Sequence, residues 1–224
     1  MRALEGLDTH APTQIPEPPV SRFLFADTRM AWFWLLLRLY AGYEWFTAGF
    51  EKVFGTSINF GSFGEKSSSW IFTSTPGTAL QGFVRSALGK AGGDHPSVSG
   101  WYAWFLQNVV LPNAGVFAYL IAFGELLVGL GLLVGALTGI AAFFGVVMNF
   151  NYLLAGTVSI NPLLAIVGLL IMMAWRVAGY YGLDRYLLPL LGTPWWSGSL
   201  ARRTATKRNS QEPPEQSTAG TAPA

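Results

Sequence analysis

A run of fifty residues without a charged side chain or a histidine, from Leu126 to Trp175, most limits what this chain can fold into. A single helix of that length would extend about 75 Å, whereas the hydrocarbon core of a bilayer is roughly 30 Å thick. The run must therefore fold back on itself. Glycines at Gly135 and Gly139 and the segment 159–162 (SINP) supply the breaks. The pattern predicts consecutive apolar helices that pack together in a membrane.

We predict an all-α fold, an integral membrane four-helix bundle with a long extracytoplasmic loop between helices 1 and 2. The four predicted helices cover residues 30–53, 112–135, 137–156 and 162–181. They belong to a membrane domain of residues 30–200, and the outer loop is residues 54–111. Helical spacing of apolar residues predicts two short helices in that loop, around 80–88 and 101–109. The polar ends, residues 1–29 and 201–224, are predicted to be a disordered leader and a disordered tail.

Composition excludes several classes of function. Only 12% of the residues are charged, against about 25% in a typical soluble domain. Cysteine is absent, which excludes thiol catalysis and thiolate metal sites. The two histidines, His10 and His95, lie in polar segments, so we expect no metal site and no covalently bound cofactor. The basic residues are scattered at segment ends, so membrane lipid, and not nucleic acid, is the expected partner.

The distribution of basic residues predicts the orientation in the membrane. Arg22 and Arg29 precede the first predicted helix, and Arg202, Arg203 and Lys207 follow the fourth. Cytoplasmic loops and ends carry an excess of lysine and arginine. We therefore expect a multi-pass protein of the plasma membrane with both termini in the cytoplasm.

Two charged residues inside the predicted spans are expected to pair. An ionised side chain at the bilayer centre costs about 2.5–3.5 kcal/mol even on the most lenient scale. Arg38 lies about 12 Å into helix 1 and Glu125 about 20 Å into helix 2, which puts both at similar depth. Small residues share a helix face with each of them. We predict that these faces meet and that Arg38 forms a salt bridge with Glu125, whose role is either structural or functional.

Other polar side chains in the spans are candidates for a shared pocket. Glu44 has no evident partner apart from Lys52, two turns later, so it is either protonated, paired or lining a cavity. Asn149 and Tyr152 share one face of helix 3 and could bind a ligand or a neighbouring helix. The catalytic candidates are Glu125 and Glu44. The candidates for binding a substrate or another ligand are Arg38, Trp45, Lys52, Asn149 and Tyr152.

Four segments in order along the chain resemble the DoxX family, including the DoxD-like large subunit of thiosulfate:quinone oxidoreductase. They are RLYAGYEWFTAGFEK (38–52), GELLVGLGLLVG (124–135), MNFNYLLAGTVSINP (148–162) and AGYYGLDR (178–185). The resemblance implies a small membrane protein that passes electrons from thiosulfate or a related donor to membrane quinone. It also implies that Arg38, Lys52, Glu125 and Asn149 occupy the recurrent polar positions of the family.

The resemblance leaves two functions open. In the first, the chain acts as a thiosulfate dehydrogenase that reduces quinone, with quinone as co-substrate and Glu125 or Glu44 as a proton relay. In the second, it is a non-catalytic membrane anchor or scaffold for soluble redox or sulfur-handling enzymes. A small second subunit or a soluble redox enzyme is an expected partner in either case.

Overall fold

The computed structural model describes residues 17–193 and 195, and within them the fold is all-helical. A short helix α1 (Pro19–Ala26) and a single 3-10 turn (Thr28–Met30) lead into the long helix α2 (Ala31–Phe54). After a segment of turns come α3 (Thr78–Gly89) and α4 (Gly100–Phe105), which continues as a π-helical turn over Leu106–Val110. The remaining helices are α5 (Ala114–Val134), α6 (Thr138–Leu154), α7 (Asn161–Met173), α8 (Trp175–Ala178) and α9 (Asp184–Leu190).

Three of the predicted spans agree with the structure to within a few residues, and the fourth is shorter than predicted. The prediction for helix 4 was 162–181, but α7 ends at Met173 and a separate four-residue helix follows. Beyond it, the chain turns so that Gly179 lies against the side chain of Asp184 and Gly182 against Arg38. The last predicted turns are therefore a folded-back segment and do not extend the helix.

The predicted leader is also partly ordered. Residues Pro19–Ala26 form α1, where the sequence predicted disorder for all of 1–29. Pro19 is the first helical residue, a position at which its missing N–H costs nothing. The indole of Trp34 donates a hydrogen bond to the carbonyl of Leu24 at 2.8 Å, and Phe25 packs on the same ring. Residues 1–16 and 201–224 lie outside the described residues.

By length and composition, one described helix is apolar enough to cross a membrane, the 21-residue α5. Helices α6 and α7 are apolar but shorter. Helix α2 has 24 residues and carries four charged side chains: Arg38, Glu44, Glu51 and Lys52. These charged side chains are carried by a helix that packs chiefly against the apolar helix α5.

Helices α2 and α5 form the most extensive helix pair, and they are antiparallel. Gly49 lies against the backbone of Glu125 and Leu126, while Gly42 lies against Leu132 and Leu133. A side chain at Gly49 would collide with the facing backbone, so glycine is what permits this close approach. The predicted contact between the small-residue faces of helices 1 and 2 is confirmed.

The segment between α2 and α5 is more structured than a simple loop. The predicted short helices are present as α3 and α4. The apolar residues of this segment form a hydrophobic cluster with the adjacent ends of α2 and α5, and its most buried members include Leu80, Val84 and Val98. This segment thus packs on the adjacent ends of α2 and α5 and helps to enclose a pocket there.

Candidate functional site

A hydrogen-bonded chain of three side chains links α2, α5 and α6. Glu125, on α5, is 1% exposed. Lys52 of α2 donates from Nζ to Glu125 Oε2 at 2.6 Å, and the Tyr152 hydroxyl of α6 donates to Glu125 Oε1. Both carboxylate oxygens are therefore engaged, as an ionised carboxylate in a buried position requires.

The hydrogen-bonded side chains of Lys52, Glu125 and Tyr152 border a polar pocket of about 460 Å³. We call it the polar pocket; its walls come from α2, the segment 59–70, α3, α5, α6 and the start of α7. Glu44 and Glu51 of α2 line it together with Lys52 and Glu125. Three carboxylates therefore face one ammonium group. The pocket is acidic overall, a property that disfavours anionic ligands.

Two aromatic rings pack against Lys52 and Tyr152 at the polar pocket. The Trp70 ring lies 5.2 Å from Lys52 Nζ, at a distance typical of a cation–π contact. Trp45 is buried and stacks on Tyr152 with ring centroids 6.5 Å apart. Of the residues predicted from the sequence, Glu44, Trp45, Lys52, Glu125 and Tyr152 all line this pocket.

Asn149 lies one helical turn before Tyr152 on α6 and does not line the polar pocket. Its side chain is completely buried, and within the part of the chain that the structure describes neither its Nδ2 nor its Oδ1 has a hydrogen-bond partner. Gly145, one turn further back on the same face, lies against Trp45 and Val128. An unsatisfied buried amide is costly, which makes Asn149 a candidate for binding a water molecule or a ligand in the interior.

The predicted salt bridge between Arg38 and Glu125 is wrong. Gly49 marks the level of Glu125 on α2, and Arg38 lies eleven residues earlier, about 16 Å along the helix axis. The prediction assumed that the outer ends of the two helices are level. In the structure α5 begins about two turns beyond the end of α2, so Lys52 is the basic residue opposite Glu125.

Arg38 lies instead at the turn between α5 and α6. Its Nη2 donates to the carbonyl of Tyr181 at 3.2 Å, and its guanidinium approaches Gly135 and Gly182. Asp184 is the carboxylate that acts on it electrostatically. Arg38 Nε and Nη1 have no hydrogen-bond partner among the described residues. Arg38 therefore belongs to a different cluster from the candidate site.

Asp184 is the residue that sequence reasoning missed. It is fully buried, and its two carboxylate oxygens accept from the N–H groups of Leu137 and Thr138 at 2.6 and 2.8 Å. These are the unpaired N–H groups at the start of α6. The only sequence signal for it is its place in the AGYYGLDR segment (178–185), which carries part of the family resemblance.

The described residues contain no group of three or more histidine, cysteine, aspartate or glutamate side chains that could hold a metal ion. Comparison with known families then decides the classification: residues 33–156 match DoxX. The chain belongs to the DoxX family. The match covers more than half of the protein and runs from the first turn of α2 to the end of α6. It therefore includes Lys52, Glu125 and Tyr152, the three hydrogen-bonded side chains of the candidate site. No curated protein and no solved structure matches this chain.

Membership of DoxX identifies the chain as a membrane protein of a family linked to redox and quinone-related functions. The apolar helices α5, α6 and α7 agree with that setting.

Proposed function

We propose that this DoxX protein is the quinone-binding membrane component of a redox system. The observation that carries the proposal is the Lys52–Glu125–Tyr152 chain, which ends in the polar pocket. Ring oxygens of quinone and quinol need one donor or acceptor each. An ammonium, a carboxylate and a phenol in one chain supply both kinds of group within a single site.

In the proposed arrangement the chain crosses the membrane four times, with α2, α5, α6 and α7 as the spans and both termini in the cytoplasm. The polar pocket then faces the outside. Because the protein has no cysteine, single cysteines test this directly. An impermeant thiol reagent is expected to label Ser68→Cys and to spare Ser210→Cys in intact cells, and the reverse labelling would contradict the orientation.

The proposed chemistry needs two electrons and two protons for each quinone. The Tyr152 hydroxyl or the Lys52 ammonium donates a hydrogen bond to a quinone oxygen, in place of its present bond to Glu125. A proton passed to that oxygen from Tyr152 is replaced along the chain through Glu125 and Lys52, which reaches the water of the pocket. Glu44 and Glu51 at the pocket wall provide further sites for protons.

Thiosulfate is the electron donor that the resemblance implies, and its oxidation balances the reduction of quinone. Two thiosulfates become one tetrathionate and release two electrons, and quinone takes them up together with two protons. The acidic polar pocket repels a dianion, however. We therefore propose that electrons arrive from a small second subunit or a soluble redox enzyme bound outside the pocket.

The scaffold alternative has one observation in its favour. The segment between α2 and α5 carries three strongly exposed phenylalanines, Phe60, Phe63 and Phe72, with exposed fractions of 95%, 79% and 65%. Exposed aromatic residues of this kind suit a contact with a soluble partner. In that case the polar pocket would have no role in turnover.

Membranes with and without the protein distinguish these functions. We expect thiosulfate-dependent reduction of a quinone analogue that requires the protein and is lost in Glu125→Gln. The matched control is Glu65→Gln, which changes an exposed carboxylate outside the polar pocket and should leave the rate unchanged. Full activity in a stably accumulated Glu125→Gln variant would favour the scaffold alternative.

A further inference from the structure

A second cavity, almost wholly apolar, lies beside the polar pocket. This groove has a volume of about 580 Å³ and runs between α5 and α6, with α3 and α4 at one end. We call it the lateral groove. Leu120 and Leu127 of α5 and Ile140 and Phe144 of α6 line it, and each is at least half exposed. In a membrane these side chains face lipid tails.

Two residues line both cavities, Tyr152 and Phe83. The edge of one ring meets the face of the other, with centroids 6.2 Å apart. On its polar side, the Tyr152 hydroxyl is held by Glu125. These two aromatic side chains are therefore the partition between the lateral groove and the polar pocket.

We propose that the lateral groove holds the hydrocarbon tail of a membrane-soluble ligand, whose head group passes the Tyr152–Phe83 partition into the polar pocket. The inference rests on the proposed function and adds the route and the chemical class of the ligand. Its tail is long and apolar, because the groove walls are almost wholly apolar and the side chains of Asn151 and Tyr102 in them are hydrogen-bonded to each other. Its head group is uncharged and forms hydrogen bonds, because the polar pocket is acidic.

The same charge balance argues against the other amphiphiles of a membrane. Anionic phospholipids and fatty acids would bring a negative head group next to Glu44, Glu51 and Glu125, with Lys52 as the only compensating charge among the residues lining the polar pocket. A helix of a second protein could cover the apolar walls of the lateral groove, but it would leave the polar pocket behind the Tyr152–Phe83 partition empty. A neutral head group on an apolar tail satisfies both cavities.

Two quinone analogues with the same head group test the inference, one with a decyl tail and one without a tail. Ile140→Trp fills the lateral groove, while Ile166→Trp places the same residue on α7, where Ile166 is similarly exposed (57% against 54%) and does not line the groove. We expect Ile140→Trp to weaken binding of the decyl analogue at least about tenfold, the loss that corresponds to two methylene groups left unburied. Binding of the tailless analogue should stay unchanged, and Ile166→Trp should affect neither analogue.

The outcomes separate the groove from the function. If wild-type protein binds both analogues and Ile140→Trp weakens neither, or weakens both equally, the lateral groove is not the tail site. If the wild type binds neither analogue, the proposed function fails, and the inference fails with it. Binding of a fluorescent phosphatidylglycerol with the same sensitivity to Ile140→Trp would overturn the uncharged head group. Leu127→Trp, on the other wall of the groove, replaces Ile140→Trp if that variant does not fold.

Discussion

Lys52 Nζ lies 2.6 Å from Glu125 Oε2, and this ion pair joins α2 to α5 at the wall of the polar pocket. The two side chains differ in their access to water: 19% of the Lys52 side chain is exposed but only 2% of that of Glu125. Removal of one partner therefore has unequal consequences. A stranded ammonium at Lys52 can be hydrated by pocket water, whereas a stranded carboxylate at Glu125 has far less contact with that water.

We expect Lys52→Met to lower the free energy of unfolding by about 3–5 kcal/mol, because it leaves a buried carboxylate without its counter-ion. Glu125→Met should cost less, and the double variant should be more stable than Lys52→Met alone. Denaturation in detergent measures all three, with the exposed Lys66→Met as a control expected to change stability by less than about 0.5 kcal/mol. A double variant less stable than Lys52→Met would show that the pair is not the reason for the loss.

The partner of Arg38 can be identified by double-mutant cycles. Arg38 interacts electrostatically with Asp184, the carboxylate that caps the start of α6. Arg38 also lies about 16 Å along α2 from the level of Glu125. We expect a coupling free energy of about 0.5–3 kcal/mol between Arg38→Met and Asp184→Ala, and additive effects within about 0.5 kcal/mol for Arg38→Met with Glu125→Met. The opposite order would restore the pair that the sequence predicted.

Substitution of Asn149 is expected to change the stability of the protein and its binding of a ligand in opposite directions. Because neither polar atom of its buried side chain has a hydrogen-bond partner among the described residues, Asn149→Leu should raise the free energy of unfolding by about 1–3 kcal/mol in the ligand-free protein. If the amide serves a bound head group, the same variant should weaken binding of a quinone analogue. Asn151→Leu is the matched control on the same helix. It removes the bonds of Asn151 to Val147 and Tyr102 and should therefore destabilise the protein. A destabilised Asn149→Leu would mean that the amide is satisfied in solution.

Ionisation of Tyr102 is expected to make the stability of the protein depend on pH in the alkaline range. It lies outside the proposed spans, and burial raises the pKa of its phenol from 10.0 to about 12. Between these values the unfolded chain loses the phenolic proton while the folded protein keeps it, so stability falls as the pH rises. We expect a loss of about 2–3 kcal/mol between pH 10 and 12 that is absent in Tyr102→Phe.

At neutral pH, Tyr102→Phe should be less stable than the wild type by about 1 kcal/mol, because the phenol donates to Asn151 at 3.0 Å. Thermal denaturation of both proteins from pH 8 to 12 checks the two expectations together. Parallel curves for the two proteins over that range would contradict the role of Tyr102.

Much of the fold could be read from the sequence because apolar length and glycine breaks determine where helices begin and end. The contact between the faces of Gly49 and Gly129 was also predictable, since small residues at helical spacing allow close approach. The axial register of α2 against α5 was not predictable. It depends on how far α5 extends past the end of α2, and no local sequence pattern reveals that offset.

The candidate site was predictable in its membership but not in its contacts. Five of the seven predicted side chains, including Glu44, Glu125 and Tyr152, line the polar pocket. Ionisable and polar residues of apolar helices face the protein interior or a water-filled cavity, since exposure to lipid is costly. The partner of each charge was not predictable from depth alone. Asp184 was missed for a related reason: its role depends on a return of the chain after α8 that brings it to the start of α6.

The most direct test of the account is the affinity of the purified protein for a tailless quinone analogue, in the wild type, Tyr152→Phe and Tyr119→Phe. Tyr119 also carries a phenol that forms a hydrogen bond, to the carbonyl of Ile71 at 3.4 Å, but it lines neither cavity. We predict that the wild type and Tyr119→Phe bind equally and that Tyr152→Phe binds about 10–100-fold more weakly, the loss expected for one hydrogen bond in a charged network. Equal binding by Tyr152→Phe, or no binding by the wild type, would contradict the proposal that the Lys52–Glu125–Tyr152 chain is a quinone site.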